Sequence, residues 1–443
     1  MSAVKAERYA AYKDSGVEWL REVPGNWRTL RLKDVIEKLE SGVSVNASDE
    51  PATGNNIGVL KTSCVGKDSF IPDENKSVWP TELNRVSTPV RAGRIIVSRM
   101  NTPQLVGASA YVPKNYPNIF LPDRLWQTVF FSSVRLDSKW LSLLIGCKDF
   151  RYLLSTVATG TSPSMKNLGQ DKFLSISIPF PSHAEQTAIA TYLDTKTAQI
   201  DRQIDLLSQK ATQYGKLKRS LINETVTRGL DKSVPMKDSG VEWIGEVPEH
   251  WEIQRIGTAF EERSEKVNDT DYPPLSVSMA GIVPQMKSVA KTDNNENRKR
   301  VAIGDYVINS RSDRRGASGI SVYNGSVSVI SIVLAPKRTF FGKYLHHLFR
   351  NYSFVEEFYR VGRGIVDDLW TTRYSVMKGI EFSYPSYEEQ KLIADYLDEK
   401  TVQIDRIVTA INTQIAKLKD LRKALINDVV TGKIKVVSEG GEA

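Results

Sequence analysis

The chain has 443 residues, enough for two to three domains, with 40% hydrophobic and 25% charged, a composition ordinary for a globular protein that can bury real cores. Lysine and arginine outnumber the acids 60 to 52, for a formal charge of +8, a balance that suits a phosphate-rich partner. Runs of 18 or more apolar residues are lacking, the opening MSAVKAERYAAYKDSG has no apolar core before a cleavage site, and Cys64 and Cys147 form neither a CxxC nor a zinc spacing. These features lead to the expectation of a cytoplasmic, disulfide-free protein without a membrane span.

In chain order, the first feature is KDSGVEW at Lys13–Trp19, running on to EVPGNW, which ends at Trp27. A long variable stretch follows. Its predicted elements are an apolar strand in NIGVLKTSCV, a glycine-led strand in AGRIIVSRMNTPQLVGAS, and a β-rich run LWQTVFFSSV. After these come one amphipathic helix, KWLSLLIGCKDFRYLLSTVA, then a polar glycine loop and a final strand in TGTSPSMKNLGQDKFLSISIPFP. PSHAEQTAIATYLDTKTAQIDRQI then begins at Pro181 and leads to Leu221–Thr227 and Gly229.

KDSGVEW recurs letter for letter at Lys237–Trp243 and is followed by EVPEHW, which ends at Trp251. The second variable stretch repeats the layout with PLSVSMAG, IGDYVINSRSDRRGAS, GSVSVISIVLAP, the predicted helix KYLHHLFRNYSFVEEFYRV, and GRGIVDDLWTTRYSVMKGIEFSYP. PSYEEQKLIADYLDEKTVQIDRIV begins at Pro385 and leads to Leu425–Thr431 and Gly432. Four ordered matches make this an internal duplication. The ends of the unit agree closely and the middles only in outline, so one frame carries two different readers.

The shared stretches carry heptad seams, with steps alternating four and three. In the second copy the seam is Leu397, Thr401, Ile404, Val408, Ile411, Ile415, Leu418, Arg422, Leu425 and Val429. In the first it is Leu193, Thr197, Ile200, Ile204, Leu207, Ala211, Tyr214, Lys218, Leu221 and Thr225. Prolines stand upstream and glycines at the stops, as helix ends require. The two seams are expected to pair antiparallel over roughly 50 Å, at ~1.5 Å per residue. Duplex DNA has a perpendicular two-fold axis, so such a pair could act as a ruler between half-sites. The order is also cyclic: the motif missing after Gly432 is the one at the N-terminus, so residues 1–27 should pack near the end of the second helix.

The resulting division is 1–27 motif segment, 28–180 first recognition domain, 181–236 helical spacer, 237–251 motif segment, 252–384 second recognition domain, 385–435 second spacer and 436–443 tail. Base contacts are expected from the loops after the glycine-led strands: Arg99, Asn101 and Gln104 in one reader, and Arg311, Arg314 and Arg315 in the other. Arginine fits guanine edges, and asparagine or glutamine fits adenine edges. The closing loops offer Thr161, Ser162, Ser164 and Lys166, then Arg363, Thr372 and Arg373, as holders of phosphates. The chain lacks an NPPY-type tetrapeptide and a GxxxxGK[ST] loop. His183 and His250 stand apart, and the adjacent His346 and His347 would point in different directions on a helix. The triplets Asp194–Lys196 and Asp398–Lys400 read as a solvated helix face.

Two KDSGVEWxxEVPxxW motifs, two diverged readers and two PSxxEQxxIAxYLDxKTxQID helices resemble, over essentially the whole chain, the specificity subunit of Type I restriction–modification systems. The resemblance implies an α+β fold: two diverged mixed α/β target-recognition domains joined by a pair of long antiparallel coiled-coil helices in a pseudo-two-fold cyclic arrangement. It also implies a subunit without chemistry of its own that binds double-stranded DNA. Its implied partners are two modification subunits, which carry S-adenosylmethionine and methylate adenine, and restriction subunits, which use ATP and magnesium. Because the readers differ, the target would be bipartite and asymmetric.

Overall fold

The computed structural model describes residues 7–66, 69–162, 164–285, 296–364 and 370–436. The chain forms two compact units, Met1–Leu206 with Gln414–Ala443, and Leu207–Thr413. Two long helices, His183–Arg228 and Tyr387–Val430, each contribute one end to either unit. Among the described residues no helix is long and apolar enough to cross a membrane.

Each unit holds one copy of the KDSGVEW motif, which folds as a hairpin: Tyr12–Asp14 with Glu22–Pro24 in the first, Met236–Asp238 with Glu246–Pro248 in the second. The aspartate accepts from the backbone of the glycine two residues on, at 2.9 Å in both copies, and that glycine takes φ +68° in both. The motif tryptophan then fastens the closing strand of the reader. Trp19 donates to the Ser177 carbonyl at 3.0 Å, and Trp243 donates to the Glu381 carbonyl at 3.2 Å.

The first reader is a four-stranded antiparallel sheet in the order Ser109–Tyr111, Ile95–Ser98, Leu125–Phe130, Ile36–Ser41. A second four-stranded sheet includes Gly58–Leu60, which runs parallel to Tyr116–Phe120. Trp27, Trp126, Trp140, Phe150 and Phe173 fill the core together with Ile189 and Leu193 of one long helix and Val429 and Val430 of the other. The second reader repeats the main sheet as Phe260–Glu262, Ser331–Pro336, Tyr306–Asn309, Ser318–Ile320, over a core of Phe260, Tyr306, Tyr344, Phe349 and Phe382.

Each single helix expected in a reader is in fact two. Ser138–Gly146 and Lys148–Val157 break at Cys147, which is extended (φ −67°, ψ 158°). Gly342–Leu348 and Tyr352–Arg360 break at Asn351, whose side chain accepts from the Phe354 backbone at 2.8 Å and caps the second helix.

The long helices follow their seams. Between positions 402 and 424 the only residues not exposed are Ile404, Val408, Ile411, Ile415, Leu418 and Arg422. Between 205 and 220 they are Leu207, Ala211, Tyr214 and Lys218. Leu206, Leu217 and Leu421 lie off the seam and are exposed, so position and not hydrophobicity decides burial. Leu193, Ile200 and Leu397 are buried; Ile204, Leu221 and Leu425 are half-buried. In the first unit Arg422 pairs with Asp201 at 3.0 Å, and in the second Lys218 pairs with Asp405 at 2.7 Å. The later residue of each helix meets the earlier residue of the other, so the helices run antiparallel. Their first turns are fixed by a repeated glutamine. Gln186 donates to the Pro181 carbonyl and accepts from the Asp137 amide, and Gln390 does the same with Pro385 and Phe341.

The N-terminal hairpin sits at the end of the second long helix, as the cyclic order requires. Glu7 and Lys435 form an antiparallel bridge, and Tyr12 Oη donates to the Lys433 carbonyl at 3.4 Å. Gly432 (φ +80°) lies so close that an added Cβ would stand 2.5 Å from Pro24 Cδ and 3.1 Å from Trp27 Cζ3.

Gly432→Ala should therefore cost the first unit ~1–3 kcal/mol, from left-handed strain and overpacking. Gly146→Ala, on a helix with open space around it, should gain up to ~1 kcal/mol. Denaturant titration of both variants checks the opposite signs.

His346 is lowered to about 4, first by burial and then by the charge of Arg350, and burial lowers His347 as well. The folded chain therefore binds fewer protons than the unfolded chain below the ordinary histidine range near 6.5. Stability should be flat with respect to these groups above that range and fall as pH drops toward about 4. His346→Gln should flatten part of that slope in unfolding titrations run at a series of pH values.

Candidate nucleic-acid interface

In the first reader the turn after Ile95–Ser98 is built on a close approach. Gly107 (φ +73°) leaves no room for a side chain, since a Cβ would stand 2.6 Å from Leu154 Cδ1. Arg151 braces the same turn, donating to the carbonyls of Val106 at 2.8 Å and Gln104 at 3.0 Å. The loops named from sequence come together here. Met100–Asn101 pairs with Met165–Asn167, which pairs with Thr159–Ser162, so Asn101 faces Lys166 across a small three-stranded sheet.

Individual side chains differ in what they offer. Gln104 and Ser164 are exposed and Lys166 is half-exposed. The Asn101 amide is engaged locally: it donates to Ser98 Oγ at 3.2 Å and accepts from the Thr102 backbone at 2.9 Å. Arg99 is half-buried, with its guanidinium 5.8 Å from the centre of the Trp126 ring. Its Nε, Trp126 Nε1 and Asn167 Oδ1 are all buried without a hydrogen-bond partner among the described residues. The side chains of Thr161 and Ser162 lie outside the described part.

The second reader builds the same edge from different residues. Arg311 bridges to Thr371, and Thr371 bridges to Arg363, matching the order of the small sheet in the first reader. Ser312 donates its amide to the Trp370 carbonyl at 3.0 Å, and the Thr372 amide donates to the Ser310 carbonyl at 3.0 Å. Tyr359 Oη lies 3.2 Å from the carbonyls of both Asn309 and Arg311. Burial pushes this phenol up to about 12, which keeps it a donor that holds the loop.

Arg314, Arg315, Arg363 and Arg373 are exposed, and Arg311 is partly so. Arg311 pairs with Asp313 at 3.5 Å, while Arg315 pairs with Glu356 at 3.1 Å and lies over the Tyr359 ring. Thr372 requires a correction. It is 1% exposed and its hydroxyl donates to the Phe358 carbonyl at 2.8 Å, so it anchors the loop from inside. Sequence reasoning missed Arg298, a buried arginine in the strand Arg298–Val301; the basic run RKR was its one signal.

The acid-x-Lys triplets form structural contacts. Asp194 pairs with Lys139, Asp398 pairs with Lys343 and His347 at 2.8 Å each, and Lys196 and Lys400 lie over Tyr192 and Tyr396. Among the described residues no cluster of three or more histidine, cysteine or acidic side chains could hold a metal ion.

Residues 24–212 match the family described as the Type I restriction modification DNA specificity domain. The chain is 27% identical over 174 residues to the Type I restriction enzyme EcoEI specificity subunit of Escherichia coli, a stretch that covers 39% of this chain and 29% of that protein. It is 23% identical to the putative type I restriction enzyme MjaX specificity subunit of Methanocaldococcus jannaschii, covering 94% of this chain and 95% of that one. Among solved structures, a chain from work on complex assembly and conformational transition of the type I R-M system superposes with a TM-score of 0.65 at 14% identity, covering 92% of this chain and 98% of that chain. The HsdS subunit from Thermoanaerobacter tengcongensis gives 0.54 at 17% identity, with 93% and 98% covered. These last two likenesses bear on the fold, which they share: mixed helices and strands in two readers on a long-helix frame. Residues 24–212 thus match the Type I restriction modification DNA specificity domain, and the chain as a whole is similar to Type I specificity subunits.

Proposed function

We propose that this chain reads an asymmetric, two-part DNA target, one half with each reader, and presents it to two adenine-methylating modification subunits and to restriction subunits. The observation that carries this reading is the edge built twice. The same strand-end loop meets the same closing loop in each reader, yet one edge offers Gln104, Ser164 and Lys166 and the other Arg311, Arg314, Arg363 and Arg373. Unlike donors and acceptors at equivalent places would read unlike base sequences. The long helices would fix the spacer between the halves, and the chain itself would carry out no chemistry. S-adenosylmethionine, ATP and magnesium would be held by the partner subunits, where a target base must leave the stack to be methylated.

The test is methylome sequencing of cells that express the chain with a cognate modification subunit. A split adenine motif with unlike halves is the expected result. Exchanging residues 28–180 for another reader should change one half and leave the other half and the spacer as they were. Absence of any split motif, with complex formation intact, would instead favour a decoy that binds modification subunits without reading DNA.

Within the readers, Arg314→Ala should relax the requirement at one base position and weaken binding of the matched site by ~1–3 kcal/mol. Arg228→Ala, at the exposed end of a long helix, should leave the motif unchanged. Binding to duplexes varied one position at a time distinguishes the two.

A further inference from the structure

We propose that a cavity in the second reader, floored by Arg298, takes a backbone phosphate of the DNA; this rests on the DNA-reading function above. The cavity has a volume of about 220 Å³ and is lined by Arg298, Arg311, Arg314, Asn309, Ser328 and Ser331, with Asp313 beside Arg311. Three arginines and one acid leave a net positive hollow on the edge where the reading loop meets the closing loop.

Arg298 makes the strongest case. It is 8% exposed, and its Nε and one terminal nitrogen donate to Ser326 Oγ at 2.8 Å and to the Ser326 carbonyl at 3.0 Å. Both acceptors are neutral. Among the described residues no carboxylate lies within ion-pair distance of it, and Asp269 acts on it only from farther off. A buried guanidinium held by neutral acceptors, with the nearest described acid beyond ion-pair distance, is costly, and buried charges in folded proteins are ordinarily paired. An anion entering from the open side would supply the missing partner. A guanidinium is well matched to phosphate, whose oxygens can take two parallel N–H bonds.

The pocket is a property of the reader and not of the frame. Aligning Gly304 with Gly93 places Arg298 opposite Ser87, so the first reader has no charge at this place. Arg311 and Arg314 at the rim would add longer-range attraction and bring the strand down onto Arg298. A phosphate held this deep would set the height of the second reader over its half-site, and thereby which base edge Arg314 reaches.

The full-length chain is tested in two arms. Orthophosphate should raise the midpoint of thermal unfolding saturably in the native chain and not in Arg298→Met, while Arg298→Lys should retain part of the effect. For duplex binding, the slope of log affinity against log salt should flatten by about 0.9 in Arg298→Met, the share of one phosphate. Circular dichroism confirms that the Arg298 variants are folded; if Arg298→Met does not fold, Arg298→Lys decides, because it keeps the charge but loses the two-pronged donor and should show reduced orthophosphate stabilisation.

Loss of orthophosphate stabilisation with an unchanged salt slope would mean that the pocket takes a free phosphate, and would overturn the proposal. Unchanged behaviour in both arms would overturn it too. A native chain that binds no duplex at all would instead sink the DNA-reading function, and this proposal with it.

Discussion

Antiparallel pairing of the two long helices is the constraint on which the remaining structure depends, and its direction is chosen by charge. Lys218 and Arg422 occupy the same place in the two copies of the repeat, as do Asp201 and Asp405. A parallel, in-register pair would set cation against cation and acid against acid. The antiparallel pair sets Lys218 against Asp405 and Arg422 against Asp201. Each pair is partly exposed and contributes little to adhesion, which comes from the narrow apolar seam. Their role is discrimination: the wrong direction is penalised twice, whereas the seam alone would accept either.

How the frame holds its readers explains why the readers can differ. Trp19 and Trp243 donate to backbone carbonyls of the closing strand, and Gln186 and Gln390 accept from backbone amides at the start of a reader helix. Backbone atoms are present whatever the sequence, so these grips survive almost any change of side chain in the reader. In the loops of the readers the braces also act on backbone, with Arg151 on Val106 and Gln104, and Tyr359 on Asn309 and Arg311. A reader of this design can change what it presents without changing how it stands.

What was legible in the sequence follows from the same distinction. The seams were readable because a period of alternating four and three is a property of the chain alone, and even the exposure of Leu206 and Leu421 follows from it. The closure of the N-terminal hairpin onto the second helix was readable from repeat order. The breaks at Cys147 and Asn351 were not, because the amphipathic pattern runs through them and only a tertiary contact decides where the turn falls. The candidate site residues were legible as loops but not as side chains. Thr372 turns inward to Phe358, Asn101 turns onto its neighbours, and Arg298 is drawn from a strand that shows only a run of basic residues. Hydrogen-bond partners of this kind depend on the docking of distant segments, which local composition does not encode.

One residue shows how far the frame dominates local preference. The hairpin loop requires a left-handed residue to close, and in the second copy this is Gly245 at φ +73°. In the first copy it is Arg21 at φ +59°, the one non-glycine residue with positive φ among the described residues. The loop closes in the same way in both, with the backbone of residue 21 or 245 donating to Val17 or Val241 and accepting from Ser15 or Ser239. An arginine there costs about 1 kcal/mol or more relative to glycine. The geometry is nevertheless kept, because the loop carries the tryptophan that grips the reader, and a relaxed Arg21 would carry Trp19 away from Ser177. A frame that must present two unlike readers in the same manner has to hold its own backbone against its own sequence, and Arg21 marks a place where it does so.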